Sequence, residues 1–328
     1  MKVILPHYRV EFNWTEVLAE AMGGVVENHF IKGDNETYRG THYILPIERD
    51  ITAMLEDTIY KEDVLVRYTS EDASFVGLYF YDFEGNDVDL VVDNQERSLL
   101  GRLNYNFSIV DSDLELDYII NKDTKIFSIC IFIKKAALKT YFKNIPNLAP
   151  LVDKIFNQNK NTIIRLDRMS TNSALLIQKF KQITYDNLFY EFHFKALVYD
   201  LLTEYLKQTT TEKIVIGKAL NEDFKNILKS KVYLLSVLEG DFPGVDFLAE
   251  KVSMSSSKYK KLFAKITGSS PGIFFQSNKL YKSKELLATG QYTIGEVAAK
   301  LNYSSISYMA KRFKETYGIY PKQYQNLL

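Results

Sequence analysis

Two short runs in this 328-residue sequence set hydroxyl groups beside long cations at helical spacing. In the first, Ser257, Lys260 and Lys261 stand at i, i+3 and i+4, flanked by Lys258 and Lys265. In the second, Ile306, Ser307, Tyr308 and Lys311 are followed by Lys314. Residues three and four apart share a helix face, so each run offers short donors next to ammonium groups. Such groups hydrogen-bond to base edges and neutralise phosphates.

Other constellations carry less. His7, His29, His42 and His193 are scattered and lack the i, i+4 spacing of helical metal sites, so neither a metal nor a cofactor is expected. Asp111, Asp113, Glu115 and Asp117 have calcium-loop spacing, but Leu116 stands where glycine is needed and Lys122 where glutamate is. An acidic, solvent-facing strand is expected there. Without a glycine phosphate loop, a nucleophile elbow or a Cys/His pair in context, no enzymatic activity is expected. Trp14, Tyr79, Tyr81 and Tyr105 are large and amphipathic enough to line a ligand pocket, although most aromatics of a β domain are core.

The elements that position the two cationic runs follow from periodicity and capping. Asp246 caps or opens a short helix carrying Phe247, Leu248 and Val252; a break follows at Ser253 and Met254. Ser255 then caps a second helix with Tyr259, Leu262, Phe263 and Ile266 on its inner face. The design recurs. Thr293 caps a helix with Ile294, Val297, Ala298 and Leu301 inward, the turn is Asn302-Tyr303, and a helix starting near Ser304 or Ser305 buries Met309, Phe313 and Tyr317. Between the two pairs, Pro271 opens and Gly290 stops a connector helix. Roughly 18 helical residues span about 27 Å, which suits two probes entering successive major grooves about 34 Å apart.

Upstream, residues 3–142 read as short strands punctuated by turns at Gly33-Asp34-Asn35 and Gly85-Asn86-Asp87. Both faces of 125–133 are apolar, so that strand is internal and Cys130 is a core residue. From about 173 to 207 the pattern becomes helical. Phe194, Leu197, Val198, Leu201, Leu202 and Tyr205 make one apolar stripe, which packs either on its own β domain or on the same helix of a second subunit. The polar stretch 208–212 is a candidate hinge.

Length suits two domains. The formal charge of zero conceals an asymmetry: residues 222–328 hold 16 Lys and Arg against 9 Asp and Glu, a net of +7, leaving −7 for the rest. A basic third is what a phosphate-facing domain requires. No window approaches the roughly 18 consecutive apolar residues of a membrane span. With one cysteine and no long apolar N-terminal run, a reducing cytoplasm is the expected compartment.

From about residue 241 to the end, the landmarks Leu248-Ala249-Glu250, Ser255, Leu262-Phe263, Thr267-Gly268, Ser270-Pro271, Leu286-Leu287, Ile294, Val297-Ala298, Phe313, Gly318, Pro321 and Tyr324 resemble the AraC/XylS DNA-binding domain over its full length. The resemblance implies a transcription regulator that meets promoter DNA through Ser257, Lys260 and Lys261 in one unit and Ile306, Ser307, Tyr308 and Lys311 in the other. It departs from the family pattern at Asn302-Tyr303, where Gly-Phe is usual, at Lys279 for arginine, at Ser283 for alanine and at Met309 for an aromatic. Residues 188–202 also resemble the pyochelin-regulator branch. That implies a cupin-like β-rich sensor followed by a helical dimerisation element, for which Phe194, Leu197, Leu201 and Tyr205 of the apolar stripe are the candidate contacts. A small-molecule effector and contact with RNA polymerase are the further partners expected of such a regulator.

The expected fold is therefore α+β: a β-rich sensor at 1–145, a helical linker at 146–221 and an all-α double helix-turn-helix domain at 222–328. The rival is a helical protein-interaction module fused to a small-molecule-binding or enzymatic β domain, without DNA binding.

Overall fold

The computed structural model describes all residues except 7, 12–13, 69–72, 85–87, 92–96, 101–105, 212–213 and 328. The chain divides into two units, Met1–Lys225 and Asn226–Leu328. Tyr105 and the turn at Gly85-Asn86-Asp87 lie outside the described residues.

The first unit opens with β1 (Lys2–Ile4), α1 (Thr15–Met22), β2 (Val25–Glu27), β3 (Phe30–Asp34), β4 (Tyr38–Glu48), β5 (Ile51–Tyr60) and β6 (Val64–Tyr68). It continues with β7 (Phe75–Glu84), β8 (Val88–Val91), β9 (Arg97–Leu100), β10 (Phe107–Asp111), β11 (Leu116–Ile120) and β12 (Lys125–Lys134). Helices α2 (Lys135–Lys143) and α3 (Val152–Ile155), strand β13 (Ile164–Asp167) and helices α4 (Thr171–Phe180) and α5 (Tyr190–Thr211) complete it. Eight strands form one antiparallel sheet in the order β13-β10-β7-β12-β5-β4-β3-β2, and five form a second in the order β1-β6-β11-β8-β9.

Side chains alternate along a strand, which gives the large sheet two unlike faces. One cross-strand row reads Leu45, Ala53, Ile131, Leu78 and Ile109, and all of it is buried under α2, α4 and α5. The opposite face looks toward the small sheet: Tyr8 stacks on Phe132 at 4.9 Å, and Tyr68 of β6 meets Tyr79 of β7 at 6.0 Å. Strand β12 lies between β5 and β7, as its two apolar faces required, and Cys130 is 2% exposed.

The α5 stripe corrects one expectation. Phe194, Leu197, Leu201 and Tyr205 are buried in the first unit's own core, so they do not offer a surface to a second subunit. The physical reason is the sheet beneath them, whose apolar face needs a cover at about 25 cal/mol per Å². Residues 146–221, expected as a linker, share that core through Leu148, Val152, Ile155, Ile177 and Phe180. Phe192 on the outer side of α5, and Leu188 and Phe189 before it, are exposed.

Of the hinge expected at 208–212, residues 208–211 are helical and residue 212 lies outside the described residues. Helix α5 continues through Thr211, with the Thr209, Thr210 and Thr211 hydroxyls donating to the Leu206, Lys207 and Gln208 carbonyls at 2.6, 2.7 and 3.0 Å. Farther along, Gly217 N donates to Asn161 Oδ1 at 3.0 Å and Ala219 N to Thr162 Oγ1 at 3.1 Å. The acidic run is likewise not a solvent-facing strand. Asp111 is buried and paired with Lys135 at 2.5 Å, Asp113 pairs with Lys218 at 2.5 Å and Asp117 with Arg67 at 2.8 Å.

The second unit is helical. Its elements are α6 (Asn221–Ser236, within which the division falls), α7 (Val245–Lys251), α8 (Ser256–Thr267), α9 (Pro271–Ala288), α10 (Ile294–Lys300), α11 (Ile306–Tyr317) and α12 (Pro321–Asn326). The chain is thus a β-rich unit with helices on one sheet face, followed by a smaller all-α unit, as the α+β expectation required. Among the described residues no helix is long and apolar enough to cross a membrane.

Candidate nucleic-acid interface

Helices α7 and α10 are each 7 residues long, and α8 and α11 are each 12. Both short helices bury a matched pair, Leu248 with Ala249 and Val297 with Ala298. Each turn bends through a residue at positive φ, Ser253 at 53° and Asn302 at 47°. Asparagine is among the few non-glycine residues that tolerate this region, which is how Asn302 serves where glycine is usual.

Capping then fixes where the long helices begin. Ser255 Oγ accepts from Lys258 N at 3.3 Å, and Ser305 Oγ accepts from Tyr308 N at 3.1 Å. Thr293 and Glu296 close a capping box at α10: Thr293 Oγ1 accepts from Glu296 N at 3.2 Å, and Glu296 Oε2 accepts from Thr293 N at 2.7 Å. The Thr293 N–H, together with the Thr293 hydroxyl that donates to the same Oε2 at 2.8 Å, holds the Glu296 carboxyl below its ordinary value. Asp246 does not cap α7, which starts after Gly244 at φ 91°; it sits in the first turn and accepts from Ser256 Oγ at 2.5 Å, tying the pair together. Both long helices end at a left-handed glycine, Gly268 and Gly318.

Tyr259, Leu262, Phe263 and Ile266 turn inward on α8, as Met309 and Phe313 do on α11. That leaves Ser257, Lys260 and Lys261 exposed on α8 and Ile306, Ser307, Tyr308 and Lys311 exposed on α11. Among the described residues no ion pair engages Lys260, Lys261 or Lys311, whereas Arg312 is paired with Glu315 at 2.9 Å and Lys314 lies 4.4 Å over the Tyr320 ring. Three lysines counted in the basic balance are interior: Lys231, Lys265 and Lys279 are 0%, 8% and 3% exposed. Lys265 therefore leaves the flanking set expected for α8. Burial holds the Lys231 ammonium well below the usual lysine range.

Lys279 supplies something the sequence did not disclose. From α9 its Nζ donates to the Gly240 carbonyl at 2.8 Å and to the Asn302 carbonyl at 3.4 Å, and it lies 5.3 and 5.4 Å from the centres of the Phe275 and Tyr303 rings. One ammonium thus links the approach to α7, the connector helix and the turn of the second pair. Ser283, one turn along, donates to Tyr303 Oη at 3.3 Å, and Asn302 Nδ2 donates to Asp241 Oδ1 at 3.1 Å. Burial lowers the Lys279 pKa, and Asp241 partly offsets this.

Two capped helix pairs on one connector define a double helix-turn-helix unit. Residues 248–327 match the family model described as a helix-turn-helix domain. The HTH-type transcriptional regulator AlkR of Acinetobacter baylyi is 35% identical over 81 residues, 25% of this chain and 26% of that protein. The xylose operon regulatory protein of Escherichia coli K12 is 29% identical over 83 residues, 25% of this chain and 21% of that one. The chain thus spans about a quarter of the length of these curated relatives. Among solved structures, the DNA-binding domain of AdpA in complex with a target DNA has a TM-score of 0.30 at 24% identity, covering 31% of this chain and 91% of that one. ToxT from Vibrio cholerae has a TM-score of 0.32 at 14% identity, covering 86% of this chain and 98% of that one. The C-terminal region of the chain is a helix-turn-helix domain of the AraC type.

Proposed function

We propose that the chain is a sequence-specific DNA-binding transcription regulator, with α8 and α11 as its recognition helices. The observation that carries this is the repetition: two serine-capped helices of equal length, each showing hydroxyls beside unpaired lysines, braced by one connector. Ser257, Lys260 and Lys261 contact one groove of promoter DNA, and Ile306, Ser307, Tyr308 and Lys311 the next. The first unit senses a small molecule and carries no enzymatic activity; the protein acts in the cytoplasm as a homodimer and meets RNA polymerase at the promoter. Effector binding shifts the population able to engage both half-sites.

The test is selection of bound duplexes from fragmented genomic DNA by the full chain, followed by titration at several salt concentrations. Affinity should fall steeply with salt, each neutralised phosphate adding about −0.9 to the log–log slope. Lys311→Ala should cost about 1–3 kcal/mol at the selected site if the lysine reads a base, and should flatten the slope by about one if it touches phosphate. Enrichment of no duplex at low salt would favour the protein-interaction module instead. Unchanged affinity and slope in the variant would remove Lys311 from the interface.

A further inference from the structure

Between the two sheets of the first unit lies a small cavity of about 50 Å³, lined on one side by Leu18 and Met22 of α1. Its walls are unlike the rest of the core. Tyr8, Tyr60, Tyr68, Tyr81 and Tyr118 present rings to it, and the row crossing the large sheet beneath reads His42, Glu56, Ser128 and Tyr81. On the sheet's other face one flanking row, Tyr43, Leu55, Ile129 and Phe80, belongs to the hydrophobic core, and the next reads Thr41, Asp57, Phe127 and Asp82.

Glu56 is the unexpected member. Its Oε1 accepts from Thr58 Oγ1 and Tyr60 Oη, both at 2.9 Å, and its Oε2 accepts from Ser128 Oγ at 3.4 Å. All three donors are neutral. Among the described residues its only ion-pair neighbour is His42, whose Nε2 is 3.8 Å away and whose burial keeps its pKa below the ordinary value. The same unit shows what a matched interior carboxylate looks like, in Asp111 with Lys135 at 2.5 Å. A carboxylate out of bulk water without a cation carries a large solvation cost. A second atom stands alongside it: His42, 3% exposed, has an Nδ1 with no hydrogen-bond partner.

We propose that this cleft binds a small organic cation, an amine or methylated ammonium, with its charge against Glu56 and its body among the tyrosine rings. Aromatic faces attract cations through their quadrupole, most strongly where water is excluded. Glu56 supplies the counter-charge, and His42 Nδ1 accepts from an N–H where the ligand has one. Anions are repelled by Glu56, and a neutral ligand of the same shape leaves the carboxylate unmatched. The inference names the chemistry of the effector in the regulator proposed above and rests on that reading only for its biological role.

The test uses the full chain and a fixed set of probes: choline, tetramethylammonium, butylammonium, the neutral choline isostere 3,3-dimethylbutan-1-ol, butyrate and potassium chloride. Trp14, the single tryptophan, meets the Tyr8 ring edge-on at 4.9 Å, so its emission reports on the cleft alongside calorimetry. At least one organic cation should bind about tenfold or more tighter than the neutral isostere. Glu56→Gln, which preserves shape and acceptor, should abolish that preference, while Tyr118→Phe should retain it and Tyr118→Leu reduce it. A melting curve establishes that each variant is folded. If Glu56→Gln does not fold, the Tyr118 pair decides. Equal binding of the isostere, binding by butyrate or potassium alone, full cation binding in folded Glu56→Gln, or no response to any organic cation at 10 mM overturns the proposal. Because the measurement needs no DNA, its failure leaves the regulator reading standing, and failure of DNA selection leaves the cation result intact.

Discussion

Replacing Lys279 by methionine isolates the brace between the two helix pairs. Methionine keeps an unbranched stem of similar length beside Phe275 and Tyr303 but removes the ammonium. A bond from a charged donor to a carbonyl contributes about 1.5–3 kcal/mol, and the 2.8 Å contact to Gly240 is of that kind. The 3.4 Å contact to Asn302 is long and adds a few tenths of a kcal/mol at most. Two ring contacts add roughly 0.5–1 kcal/mol each. Against these stands relief of the desolvation that lowers the Lys279 pKa, together with hydration of the freed carbonyls, since Gly240 is half-buried and Asn302 exposed. The net loss should be about 1–2 kcal/mol, or roughly 5–15 °C in the melting of a unit of this size. Calorimetry on the full chain should show the second-unit transition moving down. Amide exchange should quicken at Asn302 and Tyr303, whose N–H groups bond to the Ala299 and Ala298 carbonyls at 3.0 and 2.9 Å. Binding to a two-groove site should weaken more than binding to either half alone, because the brace sets register. An unmoved transition with unchanged exchange would show that the brace carries no weight, and arginine's absence there would need no substitute.

Leu201→Ala, at a position 0% exposed, should cost about 2–5 kcal/mol in the denaturation of the first unit without changing the sedimentation of whatever remains folded. Stable monomers with an unshifted midpoint would restore the stripe as a dimer interface. Asn302→Gly should stay within about 0.5 kcal/mol, the freed left-handed backbone offsetting the lost bond to Asp241, while Asn302→Val should lose about 1–2 kcal/mol by thermal melting. Burial lowers the His42 pKa below its ordinary 6.5, with Glu56 opposing. The unfolded chain therefore takes up more protons as pH falls below 6.5, so this contribution is complete above 6.5 and is lost through the window beneath it. Denaturation midpoints between pH 7.5 and 5 should decline less steeply in His42→Gln than in the parent.

The second unit was legible because its signals are local. Ser255, Thr293 and Ser305 cap where they do for reasons contained within four residues, and the glycines at 268, 290 and 318 sit at the left-handed positions that stop helices. Inner and outer faces of α8 and α11 follow from a period of 3.6. Periodicity could not reveal Lys279. A lysine on a connector helix reads as solvent-facing, and only the fold brings the Gly240 and Asn302 carbonyls, 39 and 23 residues away in sequence, to its Nζ. Lys265 failed for the same reason: its position in α8 is as close to the buried edge as to the exposed face.

In the first unit the strands could be read but their partners could not, and function there depends on partners. An amphipathic helix shows that it must bury a stripe; it does not show against what. The α5 stripe shares its core with Leu55, Ile129 and Phe80 and meets Tyr43 through Phe194 at 5.2 Å and Phe107 through Tyr205 at 6.1 Å, on strands whose adjacency is set by pairings between distant segments. The same limitation hid the cleft. His42, Glu56, Ser128 and Tyr81 are unremarkable one at a time, a few polar residues among apolar neighbours, and become a row only when β4, β5, β12 and β7 lie side by side in register. Among the described residues, Tyr81 was the one expected pocket residue to reach this cleft. Tyr79 lines a neighbouring one, and Trp14 packs against Tyr8 and Phe132 with its indole N–H donating to the Arg9 carbonyl at 2.9 Å. The sheet buries one face in a hydrophobic core and, on the other, sets a histidine and a carboxylate in a row with Ser128 and Tyr81 beside the cavity. An apolar filling of the second face would cost less solvation energy than Glu56 does, so its presence argues that the inner face is kept for recognition.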